Sequence, residues 1–171
     1  MDLEKLKEEI RKEEGTKFEV YKDHLGNLTY GVGHLVRDYE KLELGDIISH
    51  KKVEKTLEID LNLAIRDMRK FTKNMNISED VKEIVTHMSF QLGLPRLNKF
   101  VKFKEALKNN KYEQASLEMQ DSLWYNQTSH RASRLIQKMK KLTWGNIEKE
   151  LQHQKNYKKY MKIEKNIKKK N

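Results

Sequence analysis

Residues 14–34 read EGTKFEVYKDHLGNLTYGVGH, and they decide the fold predicted for this chain of 171 residues. Two segments inside this stretch, 18–21 and 28–32, have the composition and alternation of β-strands. The turn between them falls at 25–27, where Leu-Gly-Asn supplies a glycine and an asparagine. The stretch therefore predicts a β-hairpin near the start of the chain.

Helices are predicted on both sides of this hairpin. Apolar residues recur at helical spacing within residues 3–14, where Asp2 is the expected N-cap and Gly15 the expected stop. After the hairpin, the helical period resumes behind Ser49 and again behind Ser78, and serine is a favoured N-cap. The second of these helices should stop near 93–95, and later stripes predict helices at 100–107, 115–119 and 135–139, with a last helix beginning at Trp144.

The predicted fold class is α+β and mostly α. A small β-hairpin lobe and a larger helical lobe should be joined by a long helix, with a substrate cleft between the lobes. The expected boundaries are a main domain at 1–150, with the small lobe at about 15–50 and the helical lobe at about 70–150 plus the N-terminal helix, and a basic C-terminal extension at 151–171.

The net charge is +10, and it is unevenly spread. Residues 152–171 hold eight lysines and one glutamate, a net charge of +7, which leaves +3 for the first 151 residues. A basic protein attracts nucleic acid, anionic lipid or an acidic envelope polymer. Because most of the excess charge lies in the tail and not on a body helix, a basic helical nucleic-acid-binding module is the disfavoured alternative.

Several chemistries and destinations are disfavoured by what the sequence lacks. There is no cysteine, which excludes a disulfide framework and a thiolate zinc site. The six histidines show none of the usual metal-ligand spacings, so we expect no metal and no cofactor. No apolar run approaches the ~20 residues that span a bilayer, and the first ten residues, MDLEKLKEEI, lack the apolar core of a signal peptide.

A carboxyl in an unusual environment is expected at the end of the first helix. Glu14 follows Ile10 by four residues, so it shares the apolar face, and it lies at the negative end of the helix dipole. Both effects favour the neutral carboxyl, which is what a general acid needs near neutral pH. Glu13 fits the apolar stripe almost as well, and a solvent-facing helix end is the ordinary interpretation of both residues.

The order of the short motifs is more informative than any one of them. Glu-Gly at 14–15, Tyr-x-Asp at 21–23 and Thr-x-Gly-x-Gly-His at 29–34 follow one another within 21 residues. Farther along, Phe-Gln-Leu-Gly occupies 90–93 and Trp-Tyr-Asn-Gln-Thr occupies 124–128. This pattern spans the chain except for its tail, and it resembles the phage lysozymes of glycoside hydrolase family 24, within that family the T-even type.

The resemblance implies an enzyme that hydrolyses the β-1,4 bond between N-acetylmuramic acid and N-acetylglucosamine in bacterial peptidoglycan, with inversion. It implies that Glu14 is the catalytic acid, Asp23 the second carboxylate and Thr29 the residue that positions the attacking water. The other implied positions are the saccharide contacts Leu35, Phe90, Gln91 and Trp124, the arginine Arg131 that faces the catalytic glutamate, and a structural ion pair of His34 with Asp60.

The sequence departs from that family in the rim of the cleft. Two further saccharide-contacting positions fall on Phe103 and Glu118, which are not the family's residue types there. The segment from His34 to Asp60 is also shorter than in the T-even enzymes. All three catalytic positions are filled as the family requires, which disfavours a catalytically inactive wall-binding homologue.

The resemblance also implies a biological setting. An endolysin of this family waits in the host cytoplasm until a holin opens the membrane, and we expect a monomer whose partner is peptidoglycan. The apolar residues of the tail form a broad helical stripe among lysines, a pattern typical of a helix on an anionic envelope surface. The stripe consists of Tyr157, Tyr160, Met161, Ile163 and Ile167. The alternative is a helix from Trp144 that packs on the body, with lysines that keep it soluble.

Overall fold

The structure is a computed structural model that describes the backbone of residues 1–168, and their side chains except those of 129, 146, 147, 149, 150, 157 and 160–168. The predicted fold class, α+β and mostly α, is confirmed. In chain order the elements are α1 (Leu3–Glu14), β1 (Lys17–Lys22), β2 (Leu28–Gly31), β3 (His34–Leu35), a 3₁₀ turn (Asp38–Glu40), α2 (His50–Phe71), α3 (Glu79–Leu97), α4 (Val101–Lys108), α5 (Tyr112–Gln120), α6 (Leu123–Gln127) and α7 (Ser129–Lys168).

Two compact units divide the chain, the first at Met1–Lys104 and the second from Glu105 onward. The first unit contains α1, the sheet, α2 and α3, and the second contains α5, α6 and α7. None of the helices in the described part of the chain combines the length and the apolar character that crossing a membrane requires.

Helix α1 begins and ends where its capping residues predict. The Asp2 side chain accepts a hydrogen bond from the backbone N–H of Lys5, and the N–H of Gly15 donates to the carbonyl of Arg11. Leu6 and Ile10 are buried, as the apolar stripe of the sequence predicts. Its last residue is Glu14, the candidate general acid.

The predicted hairpin, β1 and β2, is part of a three-stranded antiparallel sheet in the order β1-β2-β3. The second predicted strand, 28–32, ends one residue early at Gly31, and His34–Leu35 forms a separate short strand. Gly31 has a φ of +62°, and a Cβ there would meet a methyl of Val53 at 3.4 Å. Glycine therefore both permits the turn between the strands and lets the sheet approach the start of α2 closely.

Helices α2 and α3 form the centre of the first unit. Ser49 and Ser78 cap them, and each side chain accepts from the backbone N–H three residues on, as predicted. The predicted stripes are fully buried, and each large aliphatic side chain contributes about 1.5–3 kcal/mol by leaving water. They consist of Val53, Leu57, Leu61, Ile65 and Met68 in α2 and Val81, Ile84, Val85 and Met88 in α3. At Gly93 the backbone of α3 leaves the helical conformation, with φ +67°, which is the interruption that the sequence predicts.

The end of the chain differs from the prediction in one respect. A helix at 135–139 and another beginning at Trp144 were expected, but α7 is continuous from Ser129 to Lys168. The residues between the two stripes, Lys-Lys-Leu-Thr at 140–143, contain no helix breaker, and Gly145 costs a helix only about 1 kcal/mol. The backbone of 151–168 therefore continues α7, whereas the side chains of the predicted tail stripe lie outside the described residues.

Candidate active site

Glu14 occupies the last position of α1 and is held by a residue that is 77 positions away in sequence. The Nε2 of Gln91, on α3, donates a hydrogen bond to Glu14 Oε1 at 3.1 Å. A Cβ built at Gly33 would lie 3.9 Å from Glu14 Oε2, so the turn between β2 and β3 also passes this carboxyl. An amide donor can bond a carboxyl oxygen whether or not the carboxyl is protonated, so Gln91 orients Glu14 without fixing its charge.

The structure distinguishes Glu13 from Glu14. The Glu13 side chain is 5% exposed, and its Oε2 lies 3.4 Å from Nδ1 of His87 on α3. Glu14 is half-buried and contacts Gln91 instead. Adjacent residues on a helix point about 100° apart, and here that difference directs one carboxyl to a buried imidazole and the other to the sheet. The contacts favour Glu14 as the carboxyl available to a substrate.

Asp23 lies in the turn that follows β1, with its carboxylate fixed by three hydrogen bonds. Oδ1 accepts from the backbone N–H groups of Leu25 at 2.9 Å and Asn27 at 2.8 Å, and Oδ2 accepts from Asn27 Nδ2 at 3.1 Å. Burial works to raise the pKa of Asp23, but the hydrogen bonds from Asn27 and Leu25 outweigh it and lower the pKa below its ordinary value. Asp23 is therefore held in one orientation and kept ionised.

Thr29 lies on β2 and is 3% exposed. Its Oγ1 donates to the backbone carbonyl of Asn27 at 3.1 Å. The same carbonyl accepts the backbone N–H of Asp23 at 2.9 Å. Asn27 thus connects the two predicted residues, a role that the sequence did not single out beyond its place in the turn. The available signal was the Asp-x-x-x-Asn spacing, because both residue types bond to local backbone in turns.

His34 lies on β3, between two carboxylates. Its Nδ1 is 2.7 Å from Asp60 Oδ2, and its Nε2 is 3.0 Å from Glu40 Oε2. Burial works to lower the pKa of His34, but the hydrogen bonds and charges of Asp60 and Glu40 outweigh it and raise the pKa. Sequence reasoning named Asp60 and missed Glu40, because nothing in the sequence around Glu40 distinguishes it from a solvent-facing acid.

The pKa of Glu40 is strongly perturbed. Burial would raise its pKa, but the backbone N–H of Arg37, the hydroxyl of Tyr30 and the ring of His34 outweigh burial and lower the pKa to about 2. The Tyr30 hydroxyl donates to Glu40 Oε1 at 2.8 Å, and the pKa of this phenol is raised by burial. These contacts connect β2, β3, the 3₁₀ turn and α2.

The predicted saccharide contacts of the first unit differ in exposure. Leu35 is 42% exposed, while Phe90 and Gln91 are half-buried on α3. Leu35 helps to line a cavity of about 350 Å³, which is within the usual range for small-ligand pockets. The lining comprises Asn27, Leu28, Leu35, Val36, Arg37, Asp38, Lys41 and Leu42. Phe103 is fully buried and stacks on Phe71 at 6.2 Å, so its side chain belongs to the core and not to a rim.

Three of the cleft positions that the family resemblance implies lie in the second unit. Trp124, at the start of α6, is 5% exposed, and its carbonyl accepts the Thr128 hydroxyl at 2.8 Å. Arg131 is half-buried in the first turn of α7. Glu118 is half-buried on α5 and accepts a hydrogen bond from Gln114 Nε2 at 2.6 Å.

Comparison with known proteins identifies the class. The family model of the phage lysozymes matches residues 11–141. Probable T4-type lysozyme 2 of Dictyostelium discoideum is 30% identical over 154 residues, which cover 77% of this chain and 91% of that protein. The pre-baseplate central spike protein Gp5 of Enterobacteria phage T4 is 30% identical over 152 residues, which cover 76% of this chain and 26% of the spike protein.

These matches show that the chain belongs to the phage lysozyme family. It is therefore a lysozyme, a glycoside hydrolase whose substrate is peptidoglycan. The α+β architecture, mostly helical with a small three-stranded antiparallel sheet, agrees with that family.

Proposed function

We propose that this lysozyme cleaves the β-1,4 bond between N-acetylmuramic acid and N-acetylglucosamine by direct displacement with inversion. The observation that carries the proposal is the contrast between two carboxyls in the first unit. Glu14 ends α1 beside an amide donor, whereas Asp23 is held ionised by three hydrogen bonds. Two carboxyls in unlike environments are what acid and base roles require.

In this mechanism, Glu14 is the general acid. It transfers its proton to the glycosidic oxygen as the bond from that oxygen to the anomeric carbon breaks. The oxygen leaves as the 4-hydroxyl of N-acetylglucosamine. The hydrogen bond from Gln91 stabilises the carboxylate that remains and holds it in position for the next turnover. A general acid has to be held on a rigid element so that its proton reaches the glycosidic oxygen. The capped C-terminal end of α1 is such an element.

Asp23 and Thr29 are proposed to supply the water. About four positions on a carboxylate can accept hydrogen bonds, and three of those on Asp23 are taken by Leu25 and Asn27 among the described residues. The fourth, on Oδ2, can accept the water proton. Thr29 gives its hydroxyl hydrogen to the Asn27 carbonyl, so its oxygen can accept from the same water and orient it toward the anomeric carbon.

The test uses purified sacculi and a short wall oligosaccharide. Mass analysis should find muropeptides that end in a reducing N-acetylmuramic acid, which identifies the bond and excludes amidase and transglycosylase products. Proton NMR of the first product should show the α-anomer, because water attacks the face opposite the departing group. An initial β-anomer would contradict inversion and indicate a covalent intermediate, and anhydro products would contradict hydrolysis.

We further propose that the main domain is 1–150, that it acts as a monomer, and that the enzyme serves as an endolysin. In that role it would accumulate in the host cytoplasm and reach the wall with the help of a holin. The support is the resemblance to the T-even type. Sedimentation would test the monomer, and the lysis time of host cells that express the chain with and without a holin would test the role.

The basic extension, 151–171, is proposed to attract the enzyme to an anionic envelope. Near such a surface each lysine contributes about 1 kcal/mol, and salt weakens the effect within a Debye length. Deleting 152–171 should leave the cutting of soluble wall fragments nearly unchanged and should weaken binding to anionic vesicles at low salt. High salt should abolish the difference. Equal vesicle binding by the truncated and full chains at low salt would refute the attraction, and a markedly lower Tm would show that the tail stabilises the fold.

A further inference from the structure

A second group of chemistry-bearing side chains lies where α1 packs against α3, outside the proposed catalytic residues. It consists of Glu9 on α1 and Glu83 and His87 on α3, whose ligand atoms all lie within 4.8 Å of one another. We propose that these three residues bind one divalent transition-metal ion of the zinc type. The proposal is independent of the bond and the mechanism assigned above.

The strongest support is the state of His87. Its side chain is 1% exposed, and its Nε2 makes no hydrogen bond within the described part of the chain. A buried polar atom without a hydrogen bond costs free energy, and this one faces the Glu9 carboxylate, with Oε2 3.5 Å away. A cation held by the two carboxylates would give Nε2 a strong partner.

The separation of His87 from Glu9 fits a tetrahedral ion, and the other separations are within 4.8 Å. Zinc binds imidazole nitrogen and carboxylate oxygen at about 2.0–2.2 Å, which puts neighbouring ligand atoms roughly 3.4 Å apart. The His87–Glu9 separation of 3.5 Å already matches. Glu83 precedes His87 by one helical turn, so the two side chains share a face of α3. Glu9 and Glu83 are half-buried, which leaves a solvent route for the ion and for a water as fourth ligand.

A carboxylate behind the histidine completes the arrangement. Glu13 Oε2 lies 3.4 Å from His87 Nδ1. Histidines that bind metals usually donate the other ring N–H to such a carboxylate, which fixes the tautomer and turns the free lone pair of Nε2 to the metal. An imidazole ligand favours zinc, nickel or cobalt over magnesium or calcium, and two carboxylates with a neutral imidazole balance the charge of a divalent ion.

The consequence would be a clamp between two helices. The ion would join α1 and α3 one turn before Glu14 and Gln91, whose hydrogen bond joins the same helices. The sequence could not indicate this site, because Glu9 lies 74 residues before Glu83 and the Glu-x-x-x-His pair on α3 is common on exposed helices.

Titration of the full chain with Zn²⁺ alone, after treatment with EDTA, tests the proposal. Calorimetry should find one tight site, and Zn²⁺ at about 100 times Kd should raise Tm by roughly 5–10 °C, while Mg²⁺ should not. Glu83→Gln and Glu9→Gln keep the side-chain volume, and each should weaken zinc binding by at least tenfold. Glu13→Gln should weaken it by about 10–100-fold through the ring orientation.

The matched control is His153→Gln, which removes an exposed histidine from α7 and should bind zinc as the unchanged chain does. The proposal is overturned if calorimetry finds no 1:1 zinc binding. It is equally overturned if the zinc-dependent rise in Tm survives both Glu83→Gln and Glu9→Gln, or disappears in His153→Gln. In those cases His87 only pairs with Glu9 and Glu13 as an ordinary buried histidine.

Discussion

Replacing Glu14 by glutamine should lower peptidoglycan hydrolysis by about 10²–10⁴-fold while the protein stays folded, because the substitution removes the transferable proton and keeps the size. The substituted amide oxygen can still accept the hydrogen bond from Gln91 that the structure gives to Glu14. We therefore expect Tm to change little. The measurement is the rate at which soluble fragments leave purified sacculi, together with a thermal melt of the same preparation.

The adjacent carboxyl provides the control. Glu13→Gln changes a side chain that contacts His87 and not Gln91, so it should keep most of the activity when measured without added metal, and its effect should appear in stability. The opposite pattern, an active Glu14→Gln enzyme and an inactive but folded Glu13→Gln enzyme, would move the general acid to Glu13. A comparable loss of activity in both variants would show that the experiment does not distinguish the two carboxyls, and it would contradict the assignment of the general acid to Glu14 alone.

Removing His34 should have the largest effect on stability among the changes considered. His34→Gln leaves the carboxylates of Asp60 and Glu40 without the ring that lies 2.7 and 3.0 Å from them. Breaking a buried ion pair by removing one partner costs about 3–5 kcal/mol, and we expect the lower end because Asp60 is 20% exposed. For a chain of this length, 3 kcal/mol lowers Tm by about 6–12 °C.

The pH dependence of this loss follows from the two perturbed pKa values. The pKa of His34 is raised in the folded protein, so its stabilisation is complete below the unfolded pKa of about 6.5 and is lost as pH rises through the raised value. The pKa of Glu40 is lowered to about 2, so its stabilisation is present above about 4.5 and is lost as pH falls toward 2. The group should stabilise the fold most between about pH 4.5 and 6.5.

Urea unfolding of the unchanged chain and of His34→Gln across this pH range measures the prediction. The difference in unfolding free energy should be largest near pH 5–6 and should shrink toward both alkaline and strongly acid pH. His153→Gln, at an exposed position of α7, should change stability by no more than about 0.5 kcal/mol at any pH. A pH-independent difference for His34→Gln would mean that packing, and not charge, accounts for the loss.

Local structure was predictable because it depends on neighbours in the chain. Asp2, Ser49 and Ser78 cap helices where their residue types predict, and the apolar stripes of α2 and α3 are buried. Such patterns report which face of an element leaves water. The prediction that a new helix begins at Trp144 was wrong, because α7 runs through this position. A change in the apolar pattern does not end a helix when no residue there breaks it.

The motif order between Glu14 and His34 was also present in the sequence, and it sufficed to indicate the family and the catalytic candidates. What the sequence by itself determined was therefore most of the elements, their caps and the family. Only the tertiary structure decided the contacts between separate elements: Gln91 with Glu14, Glu40 with His34, and Glu9 with His87. These contacts depend on how α1, α3, the sheet and the 3₁₀ turn pack, and packing between separate elements leaves no periodic signal in the chain.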